Sequence, residues 1–155
     1  MTWLVAAAAL AAADRSVDFS AAAFLSAPER FALCVGMHPA AIAEVDLCSG
    51  LDRNVTALSG HVFLRKHWAP HPRFGLALGG GAGARVSRFC PFDVCALQAG
   101  PEVLASLEGV LWLTPAFGLT LQLDAGLAVV WGQVAANVVE QSYRIPARLL
   151  LGVAL

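Results

Sequence analysis

Between Phe117 and Trp131 the chain reads FGLTLQLDAGLAVVW, with Phe, Leu, Leu, Leu, Ala, Leu, Val and Trp at odd positions and Gly, Thr, Gln, Asp, Gly, Ala and Val between them. A helix would scatter the odd residues around its circumference, whereas a strand places them all on one face. The segment therefore predicts a strand. At about 3.3 Å per residue it extends about 50 Å, roughly three times the common strand length. That length suits a tilted membrane-crossing strand better than a soluble sheet.

The same period of two recurs between turn signals along the rest of the chain. It predicts strands over Val17 to Leu25, Phe31 to His38, Ala41 to Cys48, Val55 to Lys66, Arg73 to Val86, Glu102 to Thr114, Phe117 to Trp131 and Tyr143 to Leu155. The connections after the second, fourth and sixth strands are tight and carry proline (HPAA, HWAPHP, TPA). Those after the third, fifth and seventh are longer or more polar. Short turns at one end and longer loops at the other are the arrangement of an up-and-down barrel with both termini at the short-turn end.

Composition sharpens this picture. The chain is 58% hydrophobic and only 14% charged, with a mean hydropathy of +0.67, against about a quarter charged residues in ordinary soluble domains. A membrane-crossing helix needs about 20 predominantly apolar residues. The longest uncharged runs, Gly109 to Leu123 and Ala125 to Val139, fall short of that and are separated by Asp124. Helices and closed barrels are the two structures that satisfy backbone polar groups in lipid, so the barrel is the expected alternative. The opening MTWLVAAAALAAA is read as a secretory signal, residues 1–13, leaving a single domain over 14–155.

From about Val17 to the C-terminus this pattern resembles the small eight-stranded outer-membrane β-barrel proteins of Gram-negative bacteria. The last strand of such barrels alternates apolar residues and ends in an aromatic; here YRIPARLLLGVAL supplies Tyr143, Ile145, Leu149, Leu151 and Val153 and ends in Leu155. The resemblance implies an all-β, eight-stranded antiparallel transmembrane barrel in the bacterial outer membrane.

A barrel of this kind places mid-strand charges inside, because an Arg or Lys on the lipid face at the bilayer midplane costs about 2–4 kcal/mol. Parity agrees. If Leu119, Leu121 and Leu123 face lipid, then Thr120, Gln122 and Asp124 face the lumen. Glu108 likewise opposes Leu107 and Leu111, Arg85 opposes Leu76, Leu78 and Val86, and Arg144 and Arg148 oppose Tyr143, Ile145 and Leu149. The expected lumen network is Glu44, Asp46, Arg85, Glu108, Asp124 and Arg148, joined by Arg144 and His61. With the last hairpin centred near Ala136, Asp124 and Arg148 should meet. By the same count Leu104, Val110 and Trp112 point inward and Lys66 outward, a position suited to an interface where lysine can snorkel. The glycines of FGLALGGGAGARV precede no Lys-Ser/Thr and open no helix, so a bend in a barrel wall is expected there and not a phosphate loop.

Four cysteines, Cys34, Cys48, Cys90 and Cys95, in an apparently exported chain point to disulfides. Cys90 and Cys95 bracket PFDV in the longest loop, and Cys34 and Cys48 face each other if the intervening turn is centred near Ala41. His67 and His71 have a helical metal-ligand spacing, but Pro70 and Pro72 forbid the helix, so no metal and no cofactor is expected. A turn with Trp68 as an interface anchor is expected instead, and Phe117, Trp131 and Tyr143 are further interface aromatics.

The function expected is non-catalytic, either structural or one of surface binding through the extracellular loops, with Phe89 and Phe92 as exposed loop contacts. The alternatives are a lipid-modifying barrel enzyme, for which Ser59 and His61 share a face, and a subunit of a larger envelope assembly. The lipid bilayer is the expected partner, with any protein or ligand partner at the loops. A net charge of −1 gives no electrostatic case for nucleic acid.

Overall fold

In the computed structural model, residues 17–24, 30–50, 55–90, 95–135 and 138–155 are described. They form a closed antiparallel barrel of β1 (Val17–Phe24), β2 (Phe31–Ala40), β3 (Ala43–Gly50), β4 (Val55–His71), β5 (Phe74–Phe89), β6 (Ala96–Thr114), β7 (Phe117–Ala135), β8 (Val138–Arg144) and β9 (Ala147–Ala154). Neighbours in sequence are neighbours in the wall, and β1 pairs with β9 to close it. β8 and β9 are two segments of one stave: β7 pairs with β9 from Gly118↔Ala154 to Ala125↔Ala147, then with β8 from Ala128↔Arg144 onward. The interruption falls at Ile145 and Pro146. Proline has no N–H for the ladder, and its carbonyl still accepts from the Gly126 N–H at 3.0 Å across the break. Eight staves result, as the alternation predicts.

Strand ends differ from the sequence reading by up to six residues, and two of the largest shifts fall at prolines. β4 continues past Lys66 to His71, so Trp68 sits in a strand and the turn moves to Pro72 and Arg73. A register shift between Trp68 and His71 absorbs Pro70 at the rim. β6 begins at Ala96 and not at Glu102, carrying Pro101 opposite Ala84. The three tight turns, after β2, β4 and β6, each follow such a shift. At the other end, the segments 25–29, 51–54, 91–94 and 136–137 lie outside the described residues, as do residues 1–16. The expectations for the signal segment and for Phe92 fall there, and the side chain of Phe89 is likewise not described.

The pairs stagger as they go round. Val17, the first residue of β1, aligns with Met37, Val45, Val62, Ala82, Val103 and Leu127 in turn, so the row climbs from the turn end of β1 to just past the middle of β7. This is the strand tilt that closure of a small barrel requires.

The two faces are chemically opposite. Outward positions carry Leu33, Leu47, Leu58, Val62, Leu64, Leu78, Val103, Leu107, Leu121, Leu127 and Leu151, all exposed. Inward positions carry Glu44, Asp46, His61, Arg65, Glu102, Glu108, Asp124 and Arg148, all buried. A soluble sandwich has the reverse sense, apolar within and polar without. The lumen is packed by matching large residues to absent ones. His61, Phe63 and Arg65 on β4 lie opposite Gly83, Gly81 and Gly79 on β5. A Cβ at Gly81 would come within 2.6 Å of both the Phe63 ring and the Val62 carbonyl oxygen. These glycines make room for their neighbours' side chains, a role more specific than the expected bend.

Candidate functional site: the barrel lumen

Three polar groups lie along the lumen, and β4 supplies His61 and Arg65 to the outer two, because alternate residues of a strand project to the same side. Nearest the loop end is His61. Its Nε2 lies 3.1 Å from Glu102 Oε2, and Arg85 Nη1 approaches the other Glu102 oxygen at 3.6 Å. His61 Nδ1 is buried with no hydrogen-bond partner. No hydrogen bond joins it to Ser59 among the described residues, although the two share the lumen face as expected. Beside this group, Arg85, Ser87, Gln98, Glu102, Arg144 and Pro146 line a void of about 20 Å³, room for about one water.

Arg148 of β9 organises the middle group. Its Nε donates to Asp124 at 2.5 Å and its Nη2 to Asp46 at 2.9 Å, so one guanidinium spans carboxylates from β7 and β3. Gln122 Nε2 donates to both oxygens of Asp124, at 3.1 and 2.9 Å. Arg148 Nη1 also reaches Cys48 Sγ at 3.5 Å. Cys48 is disulfide-bonded to Cys34, its register partner on β2, and both face inward. The second bridge, Cys90 to Cys95, joins the ends of β5 and β6 at the loop end.

At the turn end Arg65 Nη1 donates to Glu44 and, at 2.8 Å, to Glu108. His38 of β2 places Nε2 3.0 Å from Asp18 Oδ2 and Nδ1 3.7 Å from Glu44 Oε2. Phe63, fully buried, separates the middle and turn-end groups, with the Arg65 guanidinium carbon 4.6 Å and that of Arg148 5.5 Å from its ring centroid. A desolvated aromatic face attracts cations by up to about 2 kcal/mol, so Phe63 is an acceptor for both arginines as well as filler.

All six residues of the expected network are therefore in the lumen, but in three groups. Arg148 meets Asp46 and Asp124, Glu44 and Glu108 meet on Arg65, and Arg85 meets Glu102. Arg65 was not anticipated, nor were the parts of Asp18, His38 and Glu102. Parity would have found Arg65, since it shares the face of His61 and stands beside outward-pointing Lys66. The pairing of Asp18 with His38 has no signal within either strand and depends on the β1–β2 register. Leu104, Val110 and Trp112 do point inward, and Lys66 outward, its ammonium 5.6 Å from the Trp68 ring. Trp68, Trp131 and Tyr143 are outward and exposed, while Phe117, at the turn, is half-buried. His71 Nδ1 accepts from the Arg73 N–H at the turn.

Comparison of the chain with family models, with curated proteins and with solved structures gives no match.

Proposed function

We propose that the protein is a non-catalytic outer-membrane barrel, with a structural or surface-binding role exercised through the loops at the end opposite the tight turns. The observation that carries the membrane reading is the apolar outer wall: Leu64, Val103 and Leu127 are 61%, 62% and 70% exposed while the charged groups turn inward. Contiguous exposed apolar surface beyond a few hundred Å² marks a binding or membrane surface, and here it occurs on every stave. Aromatics accompany both margins, Trp68, Phe74 and Phe117 toward the turns and Phe31, Trp131 and Tyr143 toward the loops, as in the girdles of membrane barrels. From Phe117 to Trp131, steps of about 3.3 Å tilted near 45° rise about 33 Å, slightly more than the apolar band of about 25 Å of such barrels. The filled, paired lumen supports a role other than bulk diffusion.

The test uses a variant in which Trp131 is the sole tryptophan, refolded into vesicles containing brominated lipids. Quenching strongest with bromines near the headgroup end of the chains is expected. No quenching by any brominated lipid would remove the wall from the bilayer and overturn the reading. For the loop role, an epitope tag inserted after Asp93 should be reached by antibody on intact cells; access only after permeabilisation would reverse the topology.

A further inference from the structure

Asp18, His38 and Glu44 come from three adjacent strands, β1, β2 and β3, and converge at the turn end of the lumen. Each offers one ligand atom, and the three atoms lie within 4.8 Å of one another. We propose that this triad is a binding site for a divalent transition-metal cation such as zinc.

Three features support the assignment. The first is the donor set. One imidazole and two carboxylates suit zinc, whose bonds to nitrogen and oxygen are about 2.0–2.2 Å, and small side-chain rotations bring donors at this spacing to such lengths. A hard cation such as calcium prefers six to eight oxygens, so the imidazole favours the softer ion. The second is burial: the side chains of His38, Asp18 and Glu44 are 7%, 10% and 3% exposed, unlike the solvated carboxylates common on surfaces.

The third is Gly36, the register partner of Asp18. A Cβ there would overlap the Asp18 carboxylate, so the glycine gives that carboxylate its place over β2 beside His38.

Three protein ligands leave a fourth position of a tetrahedral ion open to water or an incoming group. Arg65 Nη1 donates to Glu44 Oε2 and so fixes the orientation of that ligand, as outer partners of metal ligands do. The ion ties the first three strands together at the end where the chain enters the barrel. None of this depends on the membrane reading.

The experiment takes the refolded, chelator-stripped barrel without an affinity tag and titrates zinc by calorimetry, with metal content measured after desalting. One zinc per barrel is expected. His38→Ala and Asp18→Asn should each weaken binding by about tenfold or more, while His71→Ala, in the turn outside the triad, should leave it unchanged. Gly36→Ala retains all three ligands but displaces the Asp18 carboxylate, the mobile end of a side chain, so it should weaken binding in a barrel that still shows heat-modifiable gel mobility. Absence of stoichiometric binding by the wild-type barrel, or equal binding by folded His38→Ala, overturns the site.

Discussion

Two neighbouring strands, β4 and β5, have nearly the same length and are paired along it, yet their inward faces are opposites. β4 presents His61, Phe63 and Arg65; β5 presents Gly83, Gly81 and Gly79. Charge and bulk are concentrated on one stave and the space for them is held by the next. A narrow lumen cannot accept large side chains from every wall, since interiors are packed to crystal-like density. A run which looks featureless in sequence, GGGAG, thus carries as much of the specification as the polar residues beside it. It also places the chemistry asymmetrically, with β4 supplying His61 and Arg65 to two of the ionic groups and Phe63 beside the Arg148 of the third.

The largest loss is expected at Arg148 of the last strand, whose guanidinium lies beside Phe63 of β4. Arg148→Met leaves Asp46 and Asp124 buried without their cation, and loss of one member of a buried pair costs about 3–5 kcal/mol. Equilibrium unfolding in detergent, followed by far-UV circular dichroism, should show that loss. Asp124→Leu added to Arg148→Met should cost less than the sum of the two single changes, and strict additivity would sink the pairing.

Next in size, Phe63→Ala removes the ring between Arg65 and Arg148 and should destabilise by about 3 kcal/mol or slightly more, the usual range for a buried Phe; a change below about 1 kcal/mol would show that the ring is not packed between them. From the other side of the comparison, Gly81→Ala should cost about 1–3 kcal/mol by overpacking. The clash involves the Val62 carbonyl as well as the ring, so Phe63→Leu should rescue Gly81→Ala only in part. Complete rescue would show that the backbone is not involved. The smallest effect is expected one residue from Arg65. Lys66→Leu, on the outer face, should alter stability by no more than about 0.5 kcal/mol, in contrast to Arg65→Leu on the inner face. Similar losses for the two would contradict the assignment of faces.

The strands and their facing were legible because a period of two spans most of the chain, and a one-residue slip would turn every leucine inward. Asp124 with Arg148 and Cys34 with Cys48 were legible because each pair lies on one hairpin, whose centre fixes the register. Three kinds of feature were not. Pro70 and Pro101 read as breaks, although bulges and rim positions tolerate them. Arg65 was passed over beside the more conspicuous Lys66. Contacts among strands far apart in sequence, such as His61 with Glu102, depend on the accumulated stagger around the wall, which no single segment encodes.

Closure of the wall joins β1 to β9, the two ends of the folded chain, with Asp18 aligned to Ala154. This is the most non-local pairing of the barrel, and contacts of that kind form late because the loop-closure entropy must be met before they contribute. Arg148 arrives on that same final segment. Until it docks, Asp46 and Asp124 face a lumen without their shared cation, and the half-assembled sheet has two open edges. The last strand is thus both zipper and counter-charge. Assembly is driven toward all-or-none behaviour, because a barrel lacking only its final stave lacks the ion pairs of its centre as well.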